Sequence, residues 1–582
     1  MRFQINEPFS FLLLVLKNRL NLFYRSACVR NTQLQKSFVC QEPGQKNIIM
    51  KNNILYFSIA VLLFPVFLQA QNLVSGGKLK PEQAIMDIRH YTIVLDVDPN
   101  TKSINGYTEI DLNLQQSTNK LLFDLWHGLT IKQVWVNSKT AKFNHTADDL
   151  VNIVLEKELT PGKVKVKIAY GGIPGIAEKA PWEGGFQWER DAKGNPWIAI
   201  SCQAEGAKIY FPCKDHPSDE PNEGADMLIT VPEGLVVAGP GLLQKVTTNK
   251  GKSTYHWKTN YTISNYCILF NVAKYKIAKR IYTTINGNKV PMEFYLLEEN
   301  FIMGEKMLDL YEQSAHILEK YFGEYPWIKE RIGASETPHL GMEHQTNIAY
   351  GNKYKFKQLG NKDIDWLLHH EFGHEWWANK VTNRDWAHMW IQEGICVFGD
   401  AMATRELAGE DAYLKRMQQT ARFIKNNIPI VQGDEVDSDQ TYQGDIYDKG
   451  AFFMHTLRYV MGDEIFFPTL KKLATDSMYT YDNTVITNDV EKLFSTAYGK
   501  SLKPLFQLYL YTIDKVEIHV KQTDAEKYLV NLVNVDMELP IEIITATGKQ
   551  KLLVNKKGIT VTSKTMIQVD PDVFYFKKLI IE

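Results

Sequence analysis

Two short segments of this chain combine residue types that can hold a metal ion and activate water. The first runs from His370 to His374 and reads H-E-x-x-H, and the second contains Glu393, which eighteen residues separate from His374. On a helix, side chains four positions apart project from the same face, so the two histidines can bind one Zn²⁺ together. Catalytic zinc keeps three protein ligands and an open position, and Glu393 is the candidate for the third ligand. The pattern predicts a zinc hydrolase centre in which Glu371 is the general base.

A buried structural helix with two hydrogen-bonded histidines is the alternative interpretation. Leu367 and Trp377 supply apolar residues at helical spacing around the histidines, which predicts a buried helix in either case. Burying two imidazoles and a carboxylate costs several kcal/mol unless a metal or other partners satisfy them, so the metal centre is favoured. Asp400, seven residues after Glu393, either orients a ligand histidine or is a solvated helix residue.

These motifs resemble those of the M1 family of zinc aminopeptidases, which includes aminopeptidase N and leukotriene A4 hydrolase. Besides H-E-x-x-H and the later glutamate, Gly341-Met342-Glu343-His344 is similar to the family's G-x-M-E-N exopeptidase motif. The resemblance implies that Glu343 binds the free α-amino group of the substrate and that the backbone of this segment runs alongside the peptide. Leu340 and His344 depart from the motif, at positions where the family often has Gly and Asn.

Two more segments follow the order of the family along the chain. Cys202-Gln203-Ala204 resembles the C-[QE]-A stretch, which makes Gln203 the second α-amine contact by resemblance. Tyr447 begins a Tyr-Asp-Lys-Gly sequence similar to the Y-x-K-G segment that holds the family's catalytic tyrosine. The expected reaction is hydrolysis of the N-terminal peptide bond. Zinc activates water, Glu371 accepts the proton, and Tyr447 donates a hydrogen bond to the developing oxyanion.

Two other functions remain open at this stage. An epoxide hydrolase like the leukotriene relative would use the same ligands, and the sequence offers no positive reason for it. An inactive peptide-binding homologue would be expected to lose a metal ligand or the base, whereas all of them are present. The leading prediction is an aminopeptidase that holds one Zn²⁺ per chain and acts on peptides with a free N-terminus.

The elements that must position these residues follow a multidomain α+β pattern. Residues 80–279 alternate apolar and polar residues between turn signals, which predicts an antiparallel β domain. Residues 280–514 begin with apolar residues at helical spacing and predict a mainly helical catalytic domain. Residues 515–582 return to short β-type runs. By resemblance, these regions are the saddle-like N-terminal domain, the thermolysin-like zinc domain and the small C-terminal β-sandwich of a short, bacterial-type M1 protein.

Composition is that of an ordinary globular protein and argues against some partners. The chain has 582 residues and a formal net charge of −1, which gives no electrostatic reason to expect nucleic acid or an anionic membrane as a partner. Its six cysteines lack the spacing of a metal site or a dense disulfide framework. We therefore expect free thiols, with a bridge between Cys202 and Cys213 as the alternative. The oligomeric state is left open.

An export signal begins at an unusual position, about fifty residues into the chain. Residues 50–70 combine an early lysine, fifteen mostly apolar residues and a small-residue end, which is the pattern of a secretory signal peptide. We interpret residues 1–49 as an upstream extension from a miscalled start, with translation beginning at Met50. Cleavage after Ala70 would make the enzyme periplasmic or extracellular, with no stable membrane span. An uncleaved anchor is the rival interpretation, although spans usually need about 20 apolar residues.

Overall fold

The computed structural model describes residues 73–582. The predicted upstream extension (1–49) and signal peptide (50–70) lie outside the described residues. Within residues 73–582, no helix is both long enough and apolar enough to cross a membrane. The expectation of free thiols is confirmed for the cysteines of this part, which are all buried and unbridged: Cys202, Cys213, Cys267 and Cys396.

The N-terminal region is rich in β-strands, as predicted. Its central strand, Met86–Asp98, alternates buried and partly exposed residues because successive side chains of a strand point to opposite faces. The strands of the region are β1 (Met86–Asp98), β2 (Ser103–Leu114), β3 (Thr118–Asp124), β4 (Leu129–Val136), β5 (Lys139–Thr140), β6 (Lys142–His145), β7 (Leu150–Leu159), β8 (Gly162–Gly172), β9 (Gly185–Arg190), β10 (Pro196–Ser201), β11 (Ala225–Pro232), β12 (Val236–Ala238), β13 (Leu242–Asn249), β14 (Lys252–Thr259) and β15 (Asn271–Ala273), after a short helix α1 (Pro81–Ala84).

Three sheets make up this region. The largest has the order β13-β14-β11-β1-β2-β8-β4-β5, and the smaller ones are β12-β15-β10-β9 and β3-β7-β6. The prediction of an antiparallel domain is wrong for one pair, because β1 and β11 run parallel, with Tyr91 opposite Ala225. The long stretch of chain between these strands supplies the crossover that a parallel pair needs. Strand β10 ends at Ser201, and the turn after it carries Gln203 towards the catalytic region.

A five-stranded sheet of order β16-β17-β18-β20-β19 opens the catalytic region. The predicted domain boundary between residues 279 and 280 falls inside its first strand, so the sheet begins before that boundary. Strand β19 lies at the edge of the sheet and contains Gly341 and Met342. The strands of this part are β16 (Tyr275–Thr283), β17 (Lys289–Leu297), β18 (Ile332–Glu336), β19 (Gly341–Met342), β20 (Ile348–Tyr350), β21 (Lys357–Leu359) and β22 (Lys362–Ile364).

The remainder of this region is mainly helical, as predicted. Its first long helix buries Met307, Tyr311 and Leu318, which share one face because they recur at helical spacing. The helices are α2 (Gly304–Phe322), α3 (Trp366–Gly373), α4 (Trp390–Ala408), α5 (Glu410–Phe423), α6 (Ser438–Thr441), α7 (Asp445–Met461), α8 (Asp463–Thr475), α9 (Thr487–Tyr498) and α10 (Lys503–Tyr511).

The C-terminal strands support helix α7. They form two sheets, β27-β24-β23-β29 and β26-β25-β28. Phe574 stacks on Tyr459 of α7 with ring centroids 3.8 Å apart, and Thr456 donates a hydrogen bond to the Phe574 carbonyl oxygen at 2.8 Å. The strands of this part are β23 (Val516–Asp524), β24 (Lys527–Leu532), β25 (Leu539–Thr545), β26 (Gly548–Val554), β27 (Ile559–Thr562), β28 (Gln568–Val569) and β29 (Lys577–Ile581).

Candidate active site

The H-E-x-x-H segment lies on α3 and the turn that ends it. Asp365 caps the start of the helix by accepting a hydrogen bond from the Leu368 N–H at 3.1 Å. The helix ends at Gly373, but the backbone N–H of His374 still donates to the His370 carbonyl oxygen at 3.3 Å. The two imidazoles therefore keep the same-face relation that the spacing predicted.

The side chains of His370, His374 and Glu393 converge on one point. The two Nε2 atoms lie 3.2 Å apart, and Glu393 Oε2 lies 3.3 Å from His374 Nε2 and 3.7 Å from His370 Nε2. This carboxylate oxygen is buried and accepts no hydrogen bond from any residue between 73 and 582. Ligand atoms held tetrahedrally at about 2.0–2.2 Å from one Zn²⁺ are roughly 3.3–3.6 Å apart. The three residues therefore fit a zinc ion, which would also give the buried oxygen a partner.

The other ring nitrogen of each histidine is held by an outer contact. Asp400 Oδ2 lies 3.2 Å from His370 Nδ1, and the Trp377 carbonyl oxygen lies 2.7 Å from His374 Nδ1. Such contacts fix the ring orientation and leave Nε2 facing the metal position. Asp400 is buried. Of the two interpretations left open by the sequence, the structure therefore supports the one in which Asp400 orients a ligand histidine.

Cys396 is a second metal-binding candidate that the sequence reasoning overlooked. The potential ligand atoms of His370, His374 and Cys396 lie within 4.8 Å of one another. The Cys396 thiol, however, donates to the His370 carbonyl oxygen at 3.0 Å, whereas Glu393 Oε2 has no hydrogen bond in the described part of the chain. These contacts favour Glu393 over Cys396 as the third ligand. The spacing of three residues between Glu393 and Cys396 on one helix was the signal available in the sequence.

Glu371 lies against the edge strand β19. A Cβ atom at Gly341 would lie 2.5 Å from Glu371 Oε1, so a side chain at this position would displace the Glu371 carboxyl. Burial raises the pKa of the Glu371 carboxyl to about 8, although the neighbouring His370 and His374 act in the opposite direction. A carboxyl with a pKa near neutrality suits a group that must accept and return a proton.

The predicted pair of amine contacts meets across the β-rich and catalytic regions. Glu343 is buried, and its Oε1 accepts hydrogen bonds from Gln203 Nε2 at 2.5 Å and from the Tyr266 hydroxyl at 2.8 Å. Asn379 donates to the Glu343 carbonyl oxygen at 2.8 Å and holds the backbone of the segment. Burial raises the pKa of Glu343, and His374 lowers it. Tyr266 was not predicted, because no motif surrounds it.

The residues that follow Glu343 are held by a second buried carboxyl. Glu375 accepts hydrogen bonds from Trp327 Nε1 at 2.7 Å and from the Thr346 N–H at 2.9 Å. The sequence reasoning did not identify this support. His344 is also buried, and neither ring nitrogen has a hydrogen-bond partner within residues 73–582. Burial lowers the pKa of His344 well below its usual range, so the ring adds no charge beside Glu343.

Tyr447 lies on helix α7 and faces the metal ligands. Its ring centroid is 6.4 Å from that of His370, and its hydroxyl is hydrogen-bonded to the Tyr442 hydroxyl. Burial, reinforced by the charge of Glu393, raises the pKa of Tyr447 well above its usual range. The phenol therefore stays protonated at neutral pH and is available as a hydrogen-bond donor.

Two glycines allow the helices that carry Glu393 and Tyr447 to touch. A Cβ atom at Gly394 would lie 2.7 Å from the Gly450 Cα, and a Cβ atom at Gly450 would lie 2.9 Å from the Gly394 Cα. Either side chain would push α4 and α7 apart, because the distance between packed helices depends on the residues at their contact. The glycine after Glu393 and the glycine of the Tyr-Asp-Lys-Gly sequence therefore both allow α4 and α7 to pack closely.

Family profiles match both regions that contribute to this site. The profile described as the peptidase M1 N-terminal domain matches residues 88–267, and the one described as the peptidase family M1 domain matches residues 310–509. Leukotriene A-4 hydrolase from Xenopus laevis is 26% identical over 74% of this chain and 69% of its own length. Leucine aminopeptidase 2 from Vanderwaltozyma polyspora and aminopeptidase B from Rattus norvegicus are 24% and 23% identical. The alignments span only 62% and 51% of those two aminopeptidases.

Solved structures share the fold. An M1 zinc metallopeptidase from Deinococcus radiodurans superimposes with a TM-score of 0.62 at 21% identity, over 76% of this chain and 95% of that one. A mutant from the same organism, bound to a Tyr-Ser-Ala substrate, superimposes with a TM-score of 0.63. The resemblance drawn from the sequence motifs is confirmed. The chain belongs to peptidase family M1 and is a zinc metallopeptidase of that family.

Proposed function

We propose that this protein is an aminopeptidase that hydrolyses the N-terminal peptide bond of peptides, with one Zn²⁺ held by His370, His374 and Glu393. The observation that carries the proposal is the buried carboxylate of Glu343 beside this centre. Its hydrogen-bond partners, Gln203 among them, are neutral donors. A buried carboxylate is costly without a cationic partner, and the terminal ammonium of a peptide supplies one. The names of two relatives, both aminopeptidases, support the same activity.

Each remaining residue has a role in this reaction. When bound, zinc supplies a Lewis acid that polarises a carbonyl and makes water more acidic. Glu371 accepts a proton from water and returns it to the leaving amine. Tyr447 donates a hydrogen bond to the carbonyl oxygen as negative charge develops there. The edge strand of Gly341 and Met342 offers backbone groups with which an extended peptide can pair.

N-acetylated substrates test the amine-binding role. Acetylation removes the ammonium, so we expect an aminoacyl amide to be cleaved and its acetylated form to resist cleavage. Glu343→Ala should lower kcat/KM for the free amine roughly 30-fold or more, because truncating one partner of a buried charge pair costs about 2 kcal/mol or more. Its zinc content should equal that of the wild type. Glu233→Ala, in an exposed turn of the β-rich region, is the matched control.

Two outcomes would contradict this proposal. Equal turnover of the acetylated and free substrates would mean that the site does not require an N-terminal amine. Loss of zinc from Glu343→Ala, measured by elemental analysis, would mean that this carboxylate belongs to the metal centre.

The hydroxyl of Tyr447 can be removed without changing the ring. Tyr447→Phe should lose about 10² to 10³ in kcat, because one oxyanion donor typically contributes roughly 2.7 to 4 kcal/mol. Zinc content should not change, since the phenol is not among the three ligands. Tyr107→Phe, on β2 of the eight-stranded sheet, is the control and should keep the wild-type kcat. A Tyr447→Phe enzyme with wild-type kcat would rule out the donor role.

The finer domain architecture and the export of the protein are also proposals. The eight-stranded sheet and its two companions support a saddle-like domain, and the two sheets of β23 to β29 support a β-sandwich. The catalytic region between them would then be the thermolysin-like domain. The signal-type pattern at residues 50–70 supports release outside the cytoplasm, periplasmic or extracellular. The N-terminal sequence of the mature protein decides between cleavage after Ala70 and an uncleaved anchor.

A further inference from the structure

A cavity opens beside the amine-binding residues. Gln203 and Tyr266, the two partners of the Glu343 carboxylate, form part of its wall. Gln392 forms another part, directly before Glu393 in the chain. The cavity therefore adjoins the residues that would hold the substrate ammonium, next to which the first side chain of a peptide branches from the backbone.

Two carboxylates in the wall already have cationic partners. An oxygen of Asp215 lies 3.1 Å from Lys208 Nζ, and an oxygen of Asp219 lies 2.7 Å from Lys214 Nζ. All four side chains are largely buried. Because each negative charge is matched within the protein, neither pair leaves a free counter-ion for a ligand.

The other titratable groups of the wall are also occupied. Glu220 accepts hydrogen bonds from the hydroxyls of Ser264 and Thr262, and burial raises its pKa to about 7. His216 Nε2 contacts the Gly77 carbonyl oxygen at 2.9 Å, and burial lowers the pKa of this ring. Burial therefore disfavours the charged form of both Glu220 and His216. The wall as a whole carries little net charge.

The surface that the cavity exposes is mainly carbon. The apolar residues that line it include Trp386, Met389, Pro217 and the ring of Tyr266. The indole is held in place by the backbone of Gly76, where a Cβ atom would lie 2.4 Å from Trp386 Cδ1. Asn265 Oδ1, Asn383 Oδ1 and Trp386 Nε1 belong to residues of the wall, are buried, and have no hydrogen-bond partner within residues 73–582.

We propose that this cavity receives the side chain of the N-terminal residue of the substrate and selects uncharged, mainly apolar side chains. The inference rests on the proposed aminopeptidase function. A lysine, arginine or glutamate side chain would lose its water in the cavity without gaining a free counter-ion. A leucine, methionine or phenylalanine side chain would bury apolar surface against Trp386 and Met389.

The test compares aminoacyl amides that differ only in the first residue. With the zinc-loaded full chain, kcat/KM for the leucine, methionine or phenylalanine amide should exceed that for the lysine, arginine and glutamate amides at least about tenfold, since even one methylene in an apolar pocket is worth roughly 10-fold. A lysine or arginine optimum would overturn the proposal and leave the aminopeptidase function intact. Failure to cleave any amide with a free amine would instead refute the proposed function itself.

Variants at Met389 test whether this cavity determines the preference for apolar first residues. Met389→Ala should lower kcat/KM for the leucine and phenylalanine amides about tenfold and that for the alanine amide much less, because alanine does not reach the removed surface. Met389→Leu should restore most of the loss, which separates a specific effect from misfolding. Met478→Ala, at a side chain 67% exposed, is the control. An equal loss on all three amides in Met389→Ala would place the first side chain elsewhere.

Glu220→Gln tests whether the cavity instead prefers a basic side chain, with Glu220 as its counter-ion. If the cavity is apolar, the ratio of leucine to arginine cleavage should stay within about twofold of the wild type, because Gln keeps the size and hydrogen bonding of the carboxyl group. A selective loss of arginine cleavage in this variant would identify Glu220 as a counter-ion and overturn the proposal.

Discussion

Glu371→Gln is expected to lower kcat by about 10² to 10⁴, the range that general acid–base groups contribute. The amide has the size of the carboxylate but does not accept a proton, and it fits the space left by Gly341. Zinc content should be unchanged because Glu371 is not one of the three converging ligands. The melting temperature should not fall, since the substitution removes a buried titratable group and creates no cavity. Steady-state kinetics, elemental analysis and calorimetry measure these three properties.

A control for Glu371→Gln must change a glutamate outside the cleft. Glu406 lies on helix α4 and forms an ion pair with Lys320 at 2.7 Å, so Glu406→Gln matches the chemical change in the same domain. We expect its kcat to stay within about twofold of the wild type, because exposed ion pairs contribute little to stability. A Glu371→Gln enzyme that retained zinc and wild-type kcat would refute the assignment of the base.

Chelation of the metal is expected to abolish activity and to lower the melting temperature. Without the ion, the buried Glu393 Oε2 has no hydrogen bond to any of residues 73–582, and the two histidine Nε2 atoms face each other at 3.2 Å. A ligand that binds only the native state stabilises it by about 4 kcal/mol when its concentration is 1,000 times its Kd. Activity and the melting temperature should return together on titration with zinc and reach their limit at one equivalent per chain.

His374→Ala is the matched variant for this titration. It removes one ligand and the partner of the Trp377 carbonyl oxygen, so zinc should restore neither property. Full activity in wild-type protein that elemental analysis shows to be free of metal would refute the requirement for zinc. Saturation at two equivalents would refute the single site.

Residues close in the chain were easier to predict than residues joined by tertiary packing. The spacing of His370 and His374 follows from helix geometry, and the structure keeps it through the end of α3. Tyr266 lies 77 positions from Glu343, and no local pattern reports their hydrogen bond. Glu375 was overlooked for a similar reason, because its donor Trp327 lies 48 positions earlier in the chain.

The same holds for the fold: individual strands were predictable from the local sequence, whereas their pairing was not. Alternation of apolar and polar residues identifies a strand but not its partner, so the parallel pair of β1 and β11 was not foreseen. The boundary at residues 279 and 280 was placed by the first helical pattern. The catalytic sheet begins earlier, at Tyr275, in strands that resemble those of the preceding region. Only the pairing of the strands shows that they belong to the catalytic sheet and not to the sheets of the preceding region.

The contact between Gly394 and Gly450 constrains how this enzyme can evolve. In an ordinary core, a larger side chain at one position can be accommodated by a smaller one opposite, so paired positions drift together. Glycine has no smaller substitute, and each of these two residues already occupies the space that the other's Cβ would need. A mutation at either position separates Glu393 from Tyr447 at once, and no change at the facing position restores the distance. If Glu393 and Tyr447 act together as proposed, both helices must therefore keep glycine at these two positions.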